Sequence, residues 1–192
     1  MNLESGEMKL LAEYDYSSGS GSVGSDARLG GGRGVKAEDG VCYFITTREY
    51  NACLYKIDRT GAITGVVTDE GSCDSFDVKD GHVVVCGLYE DKPAELYLDG
   101  KQITEFNDMS QYAVSTPEKY TFTAKDGFEL TGWVMKPAGY EPGKKYPAIL
   151  NIHGGPRTVF GSVFHHEMQV WASAGYFVFF TNPRGSDGFG TE

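Results

Sequence analysis

The sequence has no apolar run approaching the ~18–20 residues that a membrane-spanning helix requires. A helical membrane protein is therefore not expected. Its first residues, Met1-Asn2-Leu3-Glu4-Ser5-Gly6-Glu7, hold neither a basic stretch nor an apolar one, which argues against a secretory leader. Basic residues are scarce: 17 Lys and Arg stand against 27 Asp and Glu, a formal net charge of −10. That sign repels phosphate backbones, so nucleic acid is not an expected partner. Cysteines are few, at positions 42, 53, 73 and 86, and no two have the two-residue spacing of zinc or dithiol redox motifs. Cys42 and Cys86 lie inside apolar runs (residues 41–45 and 83–86), which reads as small buried thiols in a reducing cytoplasm, with a disulfide left open. No metal or cofactor is expected. His165 and His166 are adjacent, so on a helix they diverge by about 100°, whereas two metal ligands on one helix want i, i+4 spacing.

What is present suits a packed globular chain: 192 residues, 40% hydrophobic and 13% aromatic. That length allows one or two domains with a real core, and that composition excludes disordered, collagen-like and coiled-coil classes. The charge is unevenly placed. Residues 1–114 hold 20 acidic and 10 basic residues, a net of −10, while residues 115–192 hold 7 of each. The chain is therefore divided into 1–114 and 115–192.

The first part repeats itself. Asp39-Gly40-Val41-Cys42-Tyr43-Phe44-Ile45 parallels Asp80-Gly81-His82-Val83-Val84-Val85-Cys86, an offset of 41 residues. Leu54-Tyr55-Lys56-Ile57-Asp58 parallels Leu96-Tyr97-Leu98-Asp99 at an offset of 42, and Thr60-Gly61-Ala62-Ile63-Thr64 parallels the stretch ending Ile103-Thr104 at an offset of 40. Each unit reads as short strands joined by Asp-Gly or Thr-Gly turns. A period of ~40–50 residues with about four strands is the pattern of a β-propeller blade. The predicted content of 1–114 is the closing hairpin of one blade, within residues 2–11, followed by two blades. Residues 17–34, rich in Ser and Gly, read either as a flexible linker or, preferred, as a long loop entering the next blade. The run Gly30-Gly31-Gly32-Arg33-Gly34 lacks a following Lys-Ser/Thr pair and is no phosphate loop. Two blades and a hairpin cannot close a ring, so open strand edges and self-association through them are expected. The chain thus reads as a fragment of something larger.

The second part reads as the start of an α/β sheet. A hairpin over residues 119–136 turns at Asp126-Gly127, and a short apolar strand over 147–152 follows. Phe164, Met168, Trp171 and Ala172 fall at helical spacing with Gly175 at the helix end, and 176–181 is an apolar strand expected to be buried on both faces. Trp171, Phe177, Phe179 and Phe180 are expected core residues. Between strand and helix lies His153-Gly154-Gly155-Pro156, at the carboxyl end of a parallel strand, where open α/β sheets bind ligands. An ordinary glycine turn would look the same. One strand later comes Thr181-Asn182-Pro183-Arg184-Gly185-Ser186-Asp187-Gly188-Phe189-Gly190.

The repeats, the stretch Ser25-Asp26-Ala27-Arg28, the run Gly132-Trp133-Val134-Met135-Lys136-Pro137, the His-Gly-Gly-Pro loop, the helix beginning Phe164-His165-His166 and the Asn182-Pro183-Arg184-Gly185-Ser186 loop together resemble the prolyl oligopeptidase family, most closely its acylaminoacyl-peptidase branch. The resemblance implies a β-propeller followed by an α/β-hydrolase domain that cleaves peptides with a Ser-Asp-His triad. It implies that Gly155 gives a backbone N–H to the oxyanion hole, free of intrachain bonds and aimed at a cleft. His153, Gly154, Pro156, Asn182 and Arg184 would support that loop, His153 by steadying it or as a plain structural histidine, Arg184 as a loop-anchoring ion pair in preference to a substrate clamp. The family usually has Ser or Thr where Asp187 stands and Tyr where Phe189 stands.

No serine here has glycine both two before and two after it, so the Gly-x-Ser-x-Gly nucleophile elbow is absent, and the acid and base that follow it in chain order are absent too. The expected function is a piece of a cytoplasmic serine peptidase acting on short or N-acylated peptides and inactive by itself. An esterase on the same scaffold and a non-catalytic interaction protein are the alternatives.

Overall fold

The computed structural model describes residues 4–28, 32–155 and 157–190. Within residues 35–102 two four-stranded antiparallel units follow one another. The first holds β1 (Val35–Glu38), β2 (Val41–Arg48), β3 (Asn51–Ile57) and β4 (Ile63–Val67), each paired with the next. The second repeats the order with β5 (Ser72–Lys79), β6 (His82–Leu88), β7 (Glu95–Leu98) and β8 (Lys101–Gln102). One parallel pair, Ala52 with Ser72, joins β3 to β5, so the units share a single eight-stranded sheet and are not separate.

The hairpins form where the sequence permits two consecutive left-handed residues. Asp39 and Gly40 have φ of 48° and 79°, Asp80 and Gly81 51° and 83°, Asp99 and Gly100 48° and 79°. Such pairs make the two-residue turn whose twist matches that of the flanking strands. The core between the units is built from Ile45, Leu54, Phe76, Val78, Val85 and Leu88. Three further members, Val23, Val159 and Val163, come from outside the sheet.

The second sheet has the order β11 (Ala148–Asn151), β12 (Phe177–Thr181), β10 (Glu129–Met135), β9 (Glu118–Thr123). β11 and β12 are parallel and joined through α1 (His166–Ser173); the other pairs are antiparallel. Trp133 is fully buried, stacked on Phe180 with centroids 5.4 Å apart, and Met168 and Ala172 of α1 close the cluster. No helix among the described residues is long and apolar enough to cross a membrane.

Four expectations need correction. No strand forms within residues 4–11, where a closing hairpin was predicted, and Met8 and Leu10 are exposed, with no strand among the described residues paired to them. β12 is buried on one face only: Val178 and Phe180 are buried, while Phe177 and Phe179 are half-buried, because α1 covers just one side. Trp171 is likewise half-buried, packed at the margin of the Trp133 cluster. Cys53 and Cys73 are buried but Cys42 and Cys86 only half-buried, and all four are free thiols. Residues 17–28 form no helix or strand and are pinned by isolated bridges from Ser18 to Thr46 and from Val23 to Val159, a held loop and not a flexible linker.

Glu95 is a buried carboxylate, 1% exposed, at the start of β7. Burial alone would lift its pKa. The Thr104 hydroxyl (2.5 Å), the Asn107 amide (2.8 Å) and the Asn107 side chain (3.0 Å) all donate to it and outweigh burial, so its pKa lies below the ordinary glutamate value. A lowered folded pKa gives stability that is present above the unfolded value and lost as pH falls through the folded one. Glu95→Gln should cost about 1–3 kcal/mol at neutral pH, because one acceptor becomes a donor facing a donor. Urea titrations between about pH 3 and 7 should show the difference between wild type and variant shrinking toward the acid end.

Candidate active site

The glycine loop leaves the end of β11, an edge strand whose Leu150 is 61% exposed and whose following Ile152 is 71% exposed. Gly155 has φ +74°, and a Cβ there would meet no atom within 4 Å. Glycine is required by the left-handed backbone and not by crowding. Among the described residues, the Gly155 amide finds no acceptor, and the residue is exposed. Pro156 lies outside the described residues.

His153 is anchored from below. Its Nε2 lies 3.0 Å from Ser186 Oγ, and that hydroxyl donates to the Pro183 carbonyl at 2.7 Å. A hydroxyl has one proton, so Nε2–H of His153 is the donor and Nδ1 is the bare nitrogen. Burial pushes the His153 pKa below the ordinary histidine value, which favours the neutral ring. Its ring packs edge-on to Phe160 at 5.2 Å.

Asn182 is 3% exposed and bonds Phe160 twice, accepting from its N–H at 2.7 Å and donating to its carbonyl at 2.8 Å. It clips the loop after β12 to the stretch before α1. Arg184 turns the other way: its guanidinium meets Asp126 at the β9–β10 turn at 2.5 Å and lies 4.4 Å over the Phe128 ring. Both members of that ion pair are about half exposed, so its energetic worth is small. A hollow of about 190 Å³ lies alongside, bounded by Leu130, Thr131, Asn182, Pro183 and Phe189. The structure thus brings His153 and Asn182 together around Phe160, keeps Gly154 and Gly155 at the surface, and directs Arg184 to the hairpin turn. His165 and His166 both approach Asp26, by Nδ1 at 3.2 Å and by backbone N–H at 2.6 Å, and burial lowers the His165 pKa.

Sequence reasoning missed the acceptors that hold this region. Asp187 Oδ2 accepts from the hydroxyls of Ser17 (2.9 Å) and Ser22 (2.7 Å). Asp26 accepts from the amides of His166 and Glu167 and so caps α1 from far along the chain. For Asp187 the one signal was its departure from the family's Ser or Thr.

Known proteins bear on this arrangement. The acetyl xylan esterase (AXE1) family model matches residues 101–192. The uncharacterized peptidase YuxL of Bacillus subtilis is 33% identical over the whole chain, which spans 31% of YuxL. Dipeptidyl-peptidase 5 of Arthroderma otae is 41% identical over 66 residues, 33% of this chain and 9% of that protein. Among solved structures, the acylaminoacyl peptidase of Pyrococcus horikoshii matches with a TM-score of 0.73 and 34% identity, over 81% of this chain and 26% of that one. A puromycin hydrolase shares the fold at a TM-score of 0.63 and 21% identity, over 79% of this chain and 25% of that one. The chain is thus similar in sequence to a peptidase and similar in sequence and fold to acylaminoacyl peptidase. It spans about a third or less of the length of the relatives it matches.

Proposed function

We propose that this chain is part of a serine peptidase acting on short or N-acylated peptides, and that Gly155 supplies one oxyanion donor of that enzyme. The observation that carries the reading is the Gly155 amide, left-handed, exposed and without an acceptor among the described residues, at the carboxyl end of parallel strand β11. A donor so placed meets the charge that develops on a substrate carbonyl oxygen and is worth about 2.7–4 kcal/mol of barrier lowering. In this reading residues 1–114 are propeller blades and 115–192 begin an α/β-hydrolase domain in a cytoplasmic enzyme, with blades that admit only small, unfolded peptides. His153, Gly154, Pro156 and Asn182 hold the donor in place, and Arg184 anchors the neighbouring loop. The esterase reading draws on the acetyl xylan esterase match. The same donor would serve an ester carbonyl.

The 192 residues contain no Gly-x-Ser-x-Gly and so no activated nucleophile. The purified chain should therefore show no turnover of acyl-peptide or ester chromogenic substrates and no labelling by a fluorophosphonate probe. The full-length protein should cleave acyl-peptide amides, and cleavage of esters alone would favour the esterase. A labelled serine within residues 1–192 would overturn the assignment. Sedimentation of the same preparation should show association, because β11 presents an open strand edge with Leu150 and Ile152 exposed beside it.

A further inference from the structure

We infer that Asp187 is a positioning residue for the glycine loop, the junction through which residues 17–28 fix Ser186 and His153 and hence the direction of the Gly155 amide. The catalytic meaning of this inference rests on the reading of Gly155 given above; the positioning does not.

The carboxylate of Asp187 makes one side of the junction. Its Oδ2 accepts two hydroxyl protons, from Ser17 and Ser22, and among the described residues it has no cation as partner. Those serines are themselves braced on β2. The Ser22 amide donates to Thr47 Oγ1 at 2.9 Å, the Ser22 and Thr47 hydroxyls lie 2.8 Å apart, and Thr46 Oγ1 donates to the Ser17 carbonyl at 2.6 Å. Thr46 and Thr47 are fully buried. The anchor for the loop is thus the first sheet. A charged acceptor shared by two hydroxyls is stronger than a neutral one. Ser or Thr at 187, the usual family residues, would put one neutral hydroxyl in place of this shared charged acceptor.

The backbone makes the other side. Asp187 N–H donates to the Thr158 carbonyl at 3.2 Å, and the Gly188 carbonyl accepts from Glu49 N–H at 2.6 Å. The residue immediately before Asp187 is Ser186, 9% exposed, whose hydroxyl receives the His153 Nε2–H. Farther along the strap formed by residues 17–28, Gly24 N–H donates to the Val159 carbonyl at 2.8 Å and Val159 N–H to the Ser22 carbonyl at 3.2 Å. Ser25 Oγ donates to the Phe164 carbonyl at 2.7 Å, and Asp26 caps α1. The segment bearing Gly155 is therefore held before it by His153, through the neighbour of Asp187, and after it by Val159 and Phe164, which lead to residues 17–26, with the Asn182–Phe160 pair as a separate hold from the loop after β12.

The test uses the 192-residue chain labelled with ¹⁵N. The wild-type His153 ring should show the Nε2–H tautomer. Asp187→Ala should give a mixture of tautomers and amide exchange about tenfold faster or more over residues 157–160, with β2–β3 and β5–β6 protected as before. Asp187→Asn keeps a carbonyl acceptor for the two hydroxyls and should restore most of both readouts. Asp126→Asn, which breaks the Arg184 pair on the other side of the same loop, should leave both unchanged. The double variant Ser17→Ala, Ser22→Ala should reproduce Asp187→Ala. A folded Asp187→Ala with the wild-type tautomer and exchange overturns the inference. If Asp187→Ala does not fold, the serine double variant decides by the same readouts, and loss of the fold in both makes the carboxylate merely structural and overturns the assignment too. None of these readouts needs turnover, so failure of the Gly155 reading would leave them intact, while failure here would leave the fluorophosphonate and substrate tests unaffected.

Discussion

Gly155→Pro in the full-length protein should lower kcat by about 10²–10³-fold while leaving KM within a few fold. On the proposed reading the donor acts where charge develops in the transition state, so its loss falls on kcat. The substitution does more than delete an N–H, however. Gly155 sits at φ +74°, and proline is locked near −65°, so the ring must also rebuild the turn. Gly155→Ala separates the two effects. It keeps the N–H and bears only the cost of a left-handed alanine, about 1–2 kcal/mol, with no steric clash because the Cβ position is open. The expected order of activity is wild type, then Ala, then Pro far below. An alanine variant as slow as the proline one would mean that loop shape and not the donor sets the rate. A folded proline variant with unchanged kcat would remove Gly155 from the mechanism.

Trp133→Ala should destabilise the chain by about 3–5 kcal/mol, the largest loss expected of a single core truncation. The indole is fully buried, stacked on Phe180 at 10° between planes and met edge-on by Tyr50 at 5.3 Å. Its N–H donates to Ser162 Oγ at 2.9 Å. Truncation therefore empties the centre of the second cluster and strands a hydroxyl. Tyr50 belongs to the turn between β2 and β3, so the damage should reach the first sheet. Thermal unfolding should shift downward by roughly 6–20 °C, with both sheets melting together. A loss confined to the second sheet, seen as separate transitions, would show that the Tyr50 contact does not couple the two.

Local chemistry carried most of what could be read from the sequence. The Asp-Gly pairs at 39, 80 and 99 placed three hairpins, because turn residues act on their own neighbours. The alternation of 119–136 around Asp126-Gly127 gave the β9–β10 hairpin, and the spacing of Met168 and Ala172 gave the buried face of α1. Whatever depended on distant partners was not legible. Residues 2–11 have strand-like composition but form no strand where described, since a strand exists only with a neighbour. Phe177 and Phe179 are as apolar as Phe180, yet which face is covered depends on where a helix lies. In the site, the left-handed backbone at 155 agrees with the glycine the sequence places there. The roles of the serines at 17 and 22 could not be foreseen, because a Ser- and Gly-rich run looks the same whether it is slack or pinned by a carboxylate far along the chain.

The contacts of residues 17–26 span large loops: 170 residues separate Ser17 from Asp187, 165 separate Ser22 from it, and 140 separate Asp26 from His166. Closing loops of that length costs chain entropy before any contact rewards it, and topology of this kind slows folding. During synthesis the two antiparallel units can pair as soon as their hairpins emerge. The strap can settle on β2 early, but its contacts with residues 158–187 must wait until those residues have left the ribosome. It is made early and locks late, so the glycine loop should take its final geometry in the last and slowest phase of refolding.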